Sequence, residues 1–210
     1  MIRPGTFERV YAAIKLQLRQ GMFRPGDRLE PAVLSSELNA SVTPVRDALH
    51  RLTGERLVEA PRHDGFRAPV LTESSLRHLY AWHRDLLLLA ILNRQHGDAA
   101  AHKNNDANIA GVEAHQRQNA LFFLLARMTG NPEHMLALES LTERLEPVQR
   151  LEALLLDAIE EESREISAAI EAGDYRGLRR CLVDYHRRRA RIVPELLERL
   201  YRQQSAAERF

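Results

Sequence analysis

The chain has 210 residues, enough for two small domains with separate cores, and a formal net charge of +1 that offers nucleic acid no strong overall field. A single cysteine, Cys181, excludes an internal disulfide framework and fits a reducing cytoplasm. The apolar run Leu86 to Leu92 is too short to span a bilayer, and no signal-peptide core follows Met1-Ile2-Arg3-Pro4-Gly5, so the expectation is a soluble cytoplasmic protein with no membrane partner. The charge is uneven: residues 1–72 hold 11 Lys and Arg against 8 Asp and Glu, and the remainder is slightly acidic.

Taken in order, Phe7 to Gln20 reads as an amphipathic helix with Val10, Ala13, Ile14, Leu16 and Leu18 mostly on one side. Gly21 ends it and Pro25-Gly26 makes the next turn. Ala32 to Leu38 forms a short helix, and Asn39-Ala40-Ser41 turns the chain, Asn tolerating the left-handed conformation that such a turn needs. A second helix opens at Thr43-Pro44, with the Thr43 hydroxyl as cap and Pro44 at the first helical position, and carries Val45, Leu49 and Leu52 on one face. Two helices joined by so tight a turn read as helix-turn-helix. Leu57-Val58-Glu59, the turn Arg62 to Gly65 and Phe66-Arg67-Ala68 then read as a two-stranded wing.

Beyond a boundary at residues 69 to 73, every segment has helical period and none alternates as strands do. Thr72 caps a helix running to about Arg94. Gln95 to Asn108 is a polar loop or a frayed helix end. Helices follow over Ile109 to Met128, Glu133 to Val148, Glu152 to Ala172 and Tyr175 to about Arg202. Five or six helices packed antiparallel are the natural solution. The fold class is mostly α: a winged helix-turn-helix domain over 1–72 with a small β-hairpin wing, and an all-α antiparallel bundle over 73–210.

The N-terminal residues Gly21 to Leu29, Leu34 to Leu38, Thr43 to Leu52, Leu57-Val58-Glu59 and Gly65-Phe66 resemble the winged-helix domain of the GntR family of bacterial transcription regulators. The resemblance implies a homodimer on a palindromic operator, with Arg28, Ser41, Val42, Thr43, Pro44, Arg46, Arg51, His63 and Gly65 facing double-stranded DNA. Helix-start N–H groups suit a phosphate, and Arg46, one turn in, reaches a phosphate or a guanine edge. Two positions depart from the family: Val42 stands where Arg is usual before the Thr-Pro pair, and Asn39 replaces the usual Gly.

Residues Ala126 to Asn131 and Ile166 to His186 resemble the FCD domain of the FadR-type branch, in its shorter six-helix subgroup. That domain implies dimerisation, effector binding and a metal held by one Asp and three His. In register, those four positions fall on Gln118, Phe122, Ser163 and His186, and His83 stands where the family often has Arg. Phe122 offers a divalent ion neither charge nor lone pair, so no metal and no other cofactor is expected. His83, Gln118, Phe122, Ser163 and His186 either line a pocket for a small, weakly charged organic ligand or belong to a filled core.

The leading expectation is therefore a DNA-binding regulator, most often a repressor in this family, under possible ligand control. The alternative is a dimerisation or protein-interaction scaffold with weak DNA binding. No Gly-rich phosphate loop, His-Glu-x-x-His or nucleophile signature argues for an enzyme.

Overall fold

The computed structural model describes residues 5–62, 64–94 and 113–202. His63, the polar stretch 95–108 and the predicted helix start at Ile109 lie wholly or largely outside them.

Two buried apolar clusters form, one on each side of residues 69–72. The first belongs to an N-terminal lobe of three helices: α1 (Thr6–Arg19), α2 (Pro31–Glu37) and α3 (Val42–Gly54). Val10, Ile14 and Leu18, at spacings of four, face Val45, Leu49 and Leu52 of α3. Leu16 lies off that stripe and is half exposed. Between α2 and α3 the chain turns on Asn39, whose φ of 47° places it in the left-handed region, and the amide of Ala40 donates to the Ser35 carbonyl. Arg9 reaches across from α1 and donates to the Leu38 and Asn39 carbonyls at 2.7 and 3.2 Å. The turn is thus locked.

The start of α3 differs from expectation. Ser41, not Thr43, is the N-cap, its backbone extended at φ −77°, ψ 162°, and its hydroxyl caps nothing. Pro44 is the third helical residue rather than the first, which costs nothing because the first-turn amides lack intrahelical partners anyway.

The expected β-hairpin wing is also corrected. Among the described residues there is no strand, only isolated antiparallel bridges from Arg67 to Glu59 and to Arg28. Glu59 and Arg67 exchange both amide bonds at 2.9 Å, and Leu29 donates to the Phe66 carbonyl at 2.8 Å. Three short segments meet at Arg67, each too short to extend a ladder, while Phe66 and Ala68 turn into the core. The wing is a pinned loop.

The second lobe holds α4 (Glu73–Leu92), α5 (Ala114–Arg127), α6 (Pro132–Glu152), α7 (Ile159–Glu171), α8 (Tyr175–Arg191) and α9 (Val193–Arg202). Thr72 and Ser75 form a reciprocal capping box at the start of α4. Helix α4 packs against α5, α6, α8 and α9, and α7 lies across α5 and α8. Two long predicted helices are broken. The stretch 152–172 opens with a turn, in which the amides of Leu155 and Leu156 both donate to the Glu152 carbonyl, and becomes helical only at Ile159. The last helix divides at Ile192 because Pro194 has no N–H for the Ala190 carbonyl four residues back. Arg77 supplies that missing donor from α4.

The lobes touch through α1 and α6. Lys15 bridges Glu55 of its own lobe at 3.0 Å and Glu143 of the other at 2.8 Å. Arg19 bonds the buried Glu146 at 2.5 Å. Burial raises the Glu146 carboxyl, but bonds from His115 and Arg19 outweigh it and hold the group below the usual carboxylate range. No described helix is long and apolar enough to cross a membrane.

Candidate nucleic-acid interface and polar helical core

Helix α3 has two faces set by its sequence. Val45, Ala48, Leu49 and Leu52 are buried, whereas Ser41, Val42, Thr43, Arg46, Asp47 and His50 are exposed and Pro44 is half-buried. Among the described residues, nothing in the lobe covers the opening turn of the helix. Its free first-turn amides and positive dipole end therefore face outward. Arg46 follows one turn in, exposed and without an ion pair among the described residues. This constellation can take a phosphate oxygen at the amides and a second phosphate or base edge at the guanidinium.

The remaining DNA-facing candidates are placed differently. Arg51 stacks on the Tyr11 ring at 4.2 Å and bonds Glu55 at 3.3 Å, turned about 140° around the helix from Arg46 by its five-residue offset. Arg28 sits at the wing loop, paired with Asp64 at 2.6 Å beside the exposed, left-handed Gly65 (φ 70°). Val42 is 39% exposed, an apolar residue at the first helical position.

In the helical lobe the structure brings together three of the five candidates. His83 Nδ1 and His186 Nε2 lie 2.9 Å apart, and the Phe122 ring meets His83 edge-on with centroids 5.1 Å apart. Phe122 also packs edge-on against Tyr185, so these rings stand in mutual contact at the centre of the bundle. Gln118 lies beside them and donates to Glu162 and to the Ile159 carbonyl at 3.3 Å. Ser163 does not join the group; it is half-buried and its hydroxyl donates to the Ile159 carbonyl. The donors present do not fit a divalent cation, and among the described residues no three His, Cys, Asp or Glu are arranged to hold one.

The sequence reading missed the buried ion network beside this site. Arg189 is fully buried, its Nε bonding Glu152 at 2.8 Å and its Nη1 bonding Glu162 at 2.7 Å. Its guanidinium lies 3.4 Å from the centre of the Tyr185 ring, and Tyr80 donates to the other oxygen of Glu152 at 2.6 Å. Arg188, half exposed, bonds Glu162 from the rim. Spacing could have flagged Arg189, which continues the buried stripe Leu178, Leu182, Tyr185.

The structure thus defines a helix-turn-helix lobe, its second helix beginning in the open, joined to an all-helical lobe. Residues 6–67, most of the N-terminal lobe, match the model of the gntR family of bacterial regulatory proteins. The chain is 43% identical over 58 residues to the Nta operon transcriptional regulator of Aminobacter aminovorans, covering 28% of each chain. It is 31% identical over 70 residues to the HTH-type transcriptional repressor GlaR of Escherichia coli K12, covering 33% of this chain and 32% of that one. These matches span about a third of the length of the curated relatives. The whole fold is similar to that of E. coli McbR/YncC, with a TM-score of 0.69 at 22% identity over 93% of this chain and 99% of the other. A putative GntR transcriptional regulator from Rhodococcus sp. RHA1 also scores 0.69, at 17% identity over 90% and 97%.

Proposed function

We propose that the protein is a transcription regulator that binds a palindromic DNA operator as a homodimer, acting as a repressor, with no enzymatic activity. The observation that carries this reading is the uncovered start of α3, where first-turn amides and the unpaired Arg46 present a phosphate- and base-reaching surface. The helical lobe, in the manner of an FCD domain, supplies the two-fold contact that sets the spacing of two half-sites. The fold of the two solved structures supports the arrangement of lobes, and the repressor GlaR supports the direction of control.

Operator sequences are recovered by selecting bound duplexes from a random pool, then measured by mobility shift. Arg46→Ala is expected to weaken binding by about 1–3 kcal/mol, roughly 5- to 150-fold, and to relax selection at one position of each half-site. Unchanged affinity would remove Arg46 from the interface. Recovery of no palindrome would favour instead a dimerisation scaffold, the reading to which the exposed Val42 lends weight. Val42→Arg is expected to tighten binding and to steepen its salt dependence by about one counterion.

A further inference from the structure

A cavity of about 620 Å³ opens between the two lobes. Its walls are largely apolar and come from both sides: Leu18 and Val58 of the N-terminal lobe, Pro69 of the connection, and Leu79, Pro147 and Leu200 of the helical lobe. A volume of this size suits one small organic molecule.

The polar groups on the cavity sort into two kinds. Glu59 is paired with Arg67 at 2.9 Å and Glu143 with Lys15 at 2.8 Å. The Thr53 hydroxyl donates to the Leu49 carbonyl, and the Ser75 hydroxyl belongs to the capping box of α4. Arg56 and Arg144 are different. Both line the cavity, and among the described residues neither has an ion pair or a side-chain hydrogen bond. Burial, reinforced by the charge of Arg56, pushes Arg144 below the usual guanidinium value. Arg56 is exposed and Arg144 half-buried, so two guanidiniums that answer no carboxylate among the described residues flank one largely apolar cavity, and one of them is partly withdrawn from water.

Arg56 owes its placement to the backbone. It follows the C-cap of α3 with φ 61°, its amide donating to the Thr53 carbonyl and that of Leu57 to the Leu52 carbonyl, the pattern of a Schellman turn. Glycine is the unstrained residue there; arginine holds a left-handed backbone and puts a guanidinium at the cavity.

We propose that this cavity binds an amphipathic organic monoanion, its apolar body among the walls contributed by the two lobes and its carboxylate between Arg56 and Arg144. Because the walls belong to both lobes, such a ligand favours the arrangement that holds them together and fixes the angle at which α3 is presented. Ligand binding stands apart from the DNA-binding reading; its effect on operator affinity rests on that reading.

The test is calorimetry and thermal unfolding of the full chain without DNA, using dodecanoate below its micellar range and naphthalene-2-carboxylate, against 1-decanol and acetate. At least one of the two apolar acids is expected to bind and, at a hundredfold excess over Kd, to raise Tm by about 5–10 °C. The neutral alcohol and acetate should do little. Arg56→Gly and Arg144→Met are each expected to weaken that binding at least tenfold, while the ligand-free proteins unfold at the same or a higher temperature, since one relieves backbone strain and the other a half-buried cation. Equal stabilisation by the alcohol, undiminished binding in both variants, or no binding of either acid would overturn the proposal. Operator affinity is then measured with and without the acid; calorimetric binding with no change in DNA affinity would keep the site and discard only its coupling.

Discussion

Replacing Arg189 with methionine should cost the protein about 3–5 kcal/mol of stability, the largest single loss expected in the helical lobe. The guanidinium is fully buried and answers two buried carboxylates on different helices, Glu152 at the end of α6 and Glu162 in α7. Tyr80 from α4 and Gln118 from α5 bond the same two carboxylates, so the network joins five of the six described helices of the lobe. Methionine fills much of the volume yet leaves two carboxylates facing each other out of water. Arg188 relieves only one of them, from the rim. Urea unfolding of the variant checks the figure. Adding Glu152→Gln and Glu162→Gln to Arg189→Met should recover most of the loss, because a buried amide is far less costly than a stranded charge. If the triple variant is as unstable as the single one, the loss comes from packing against Tyr185 and not from charge. Arg164→Ala on the exposed face of α7 should change stability by well under 1 kcal/mol, since solvent screens its pair with Glu161.

How far the chain could be read before the structure depended on whether the deciding interaction was local. The turn at Asn39, the buried stripe of Val45, Leu49 and Leu52, and the capping role of Thr72 all rest on residues within a few positions of one another, and the structure has each of them. The cap of α3 falls two residues before the one its sequence suggests, because Ser41 and Thr43 are both good cap residues and only the backbone decides between them. Of the wing, the described residues show the antiparallel pairing of Glu59 with Arg67 but no strand, because the ladder ends where three segments converge. The break after Glu152 carries no Gly or Pro and had no local signal. Arg189 sits in the run Arg187-Arg188-Arg189-Ala190-Arg191, which looks like a solvated face, and its partners lie 37 and 27 residues earlier. Distance along the chain hid the partners, although its place four residues after Tyr185 did not hide its burial. The cavity between the lobes is made by the docking of α1 on α6, which no segment announces.

The second large effect is expected from acid. His186 Nδ1 lies 2.6 Å from the Leu182 carbonyl, which can only accept, so that nitrogen carries the proton. His186 Nε2 is then the acceptor in the 2.9 Å contact with His83, and His83 Nδ1 is the donor. The chain of bonds ends on His83 Nε2, buried and without a partner among the described residues. This assignment is that of two neutral rings, the state their burial favours. Burial pushes His186 down to about 3, the hydrogen bond to the Leu182 carbonyl offsetting part of the effect and the charges of Arg189 and Arg84 adding to it. Burial, His186 and Arg189 hold His83 well below its usual value. Unfolding frees both imidazoles to take a proton near pH 6.5, so below that pH the unfolded chain binds more protons than the native one. The stability from keeping the pair neutral is complete above pH 6.5 and is lost as the pH falls towards 3, by up to about 1.4 kcal/mol per pH unit for each ring. Between pH 7.5 and 5.0 the pair should therefore cost up to roughly 4 kcal/mol, the limit reached when neither ring takes a proton in the folded chain. Glu146, held below the usual carboxylate range, contributes in a lower window, below about pH 4.5, and does not obscure the effect. Urea unfolding at the two pH values in the presence of EDTA measures it. His83→Met should remove about half of the pH dependence, and His83→Met with His186→Met nearly all of it, whatever either does to stability at pH 7.5. A double variant that loses as much between pH 7.5 and 5.0 as the natural chain would show that the two rings are not the groups that titrate.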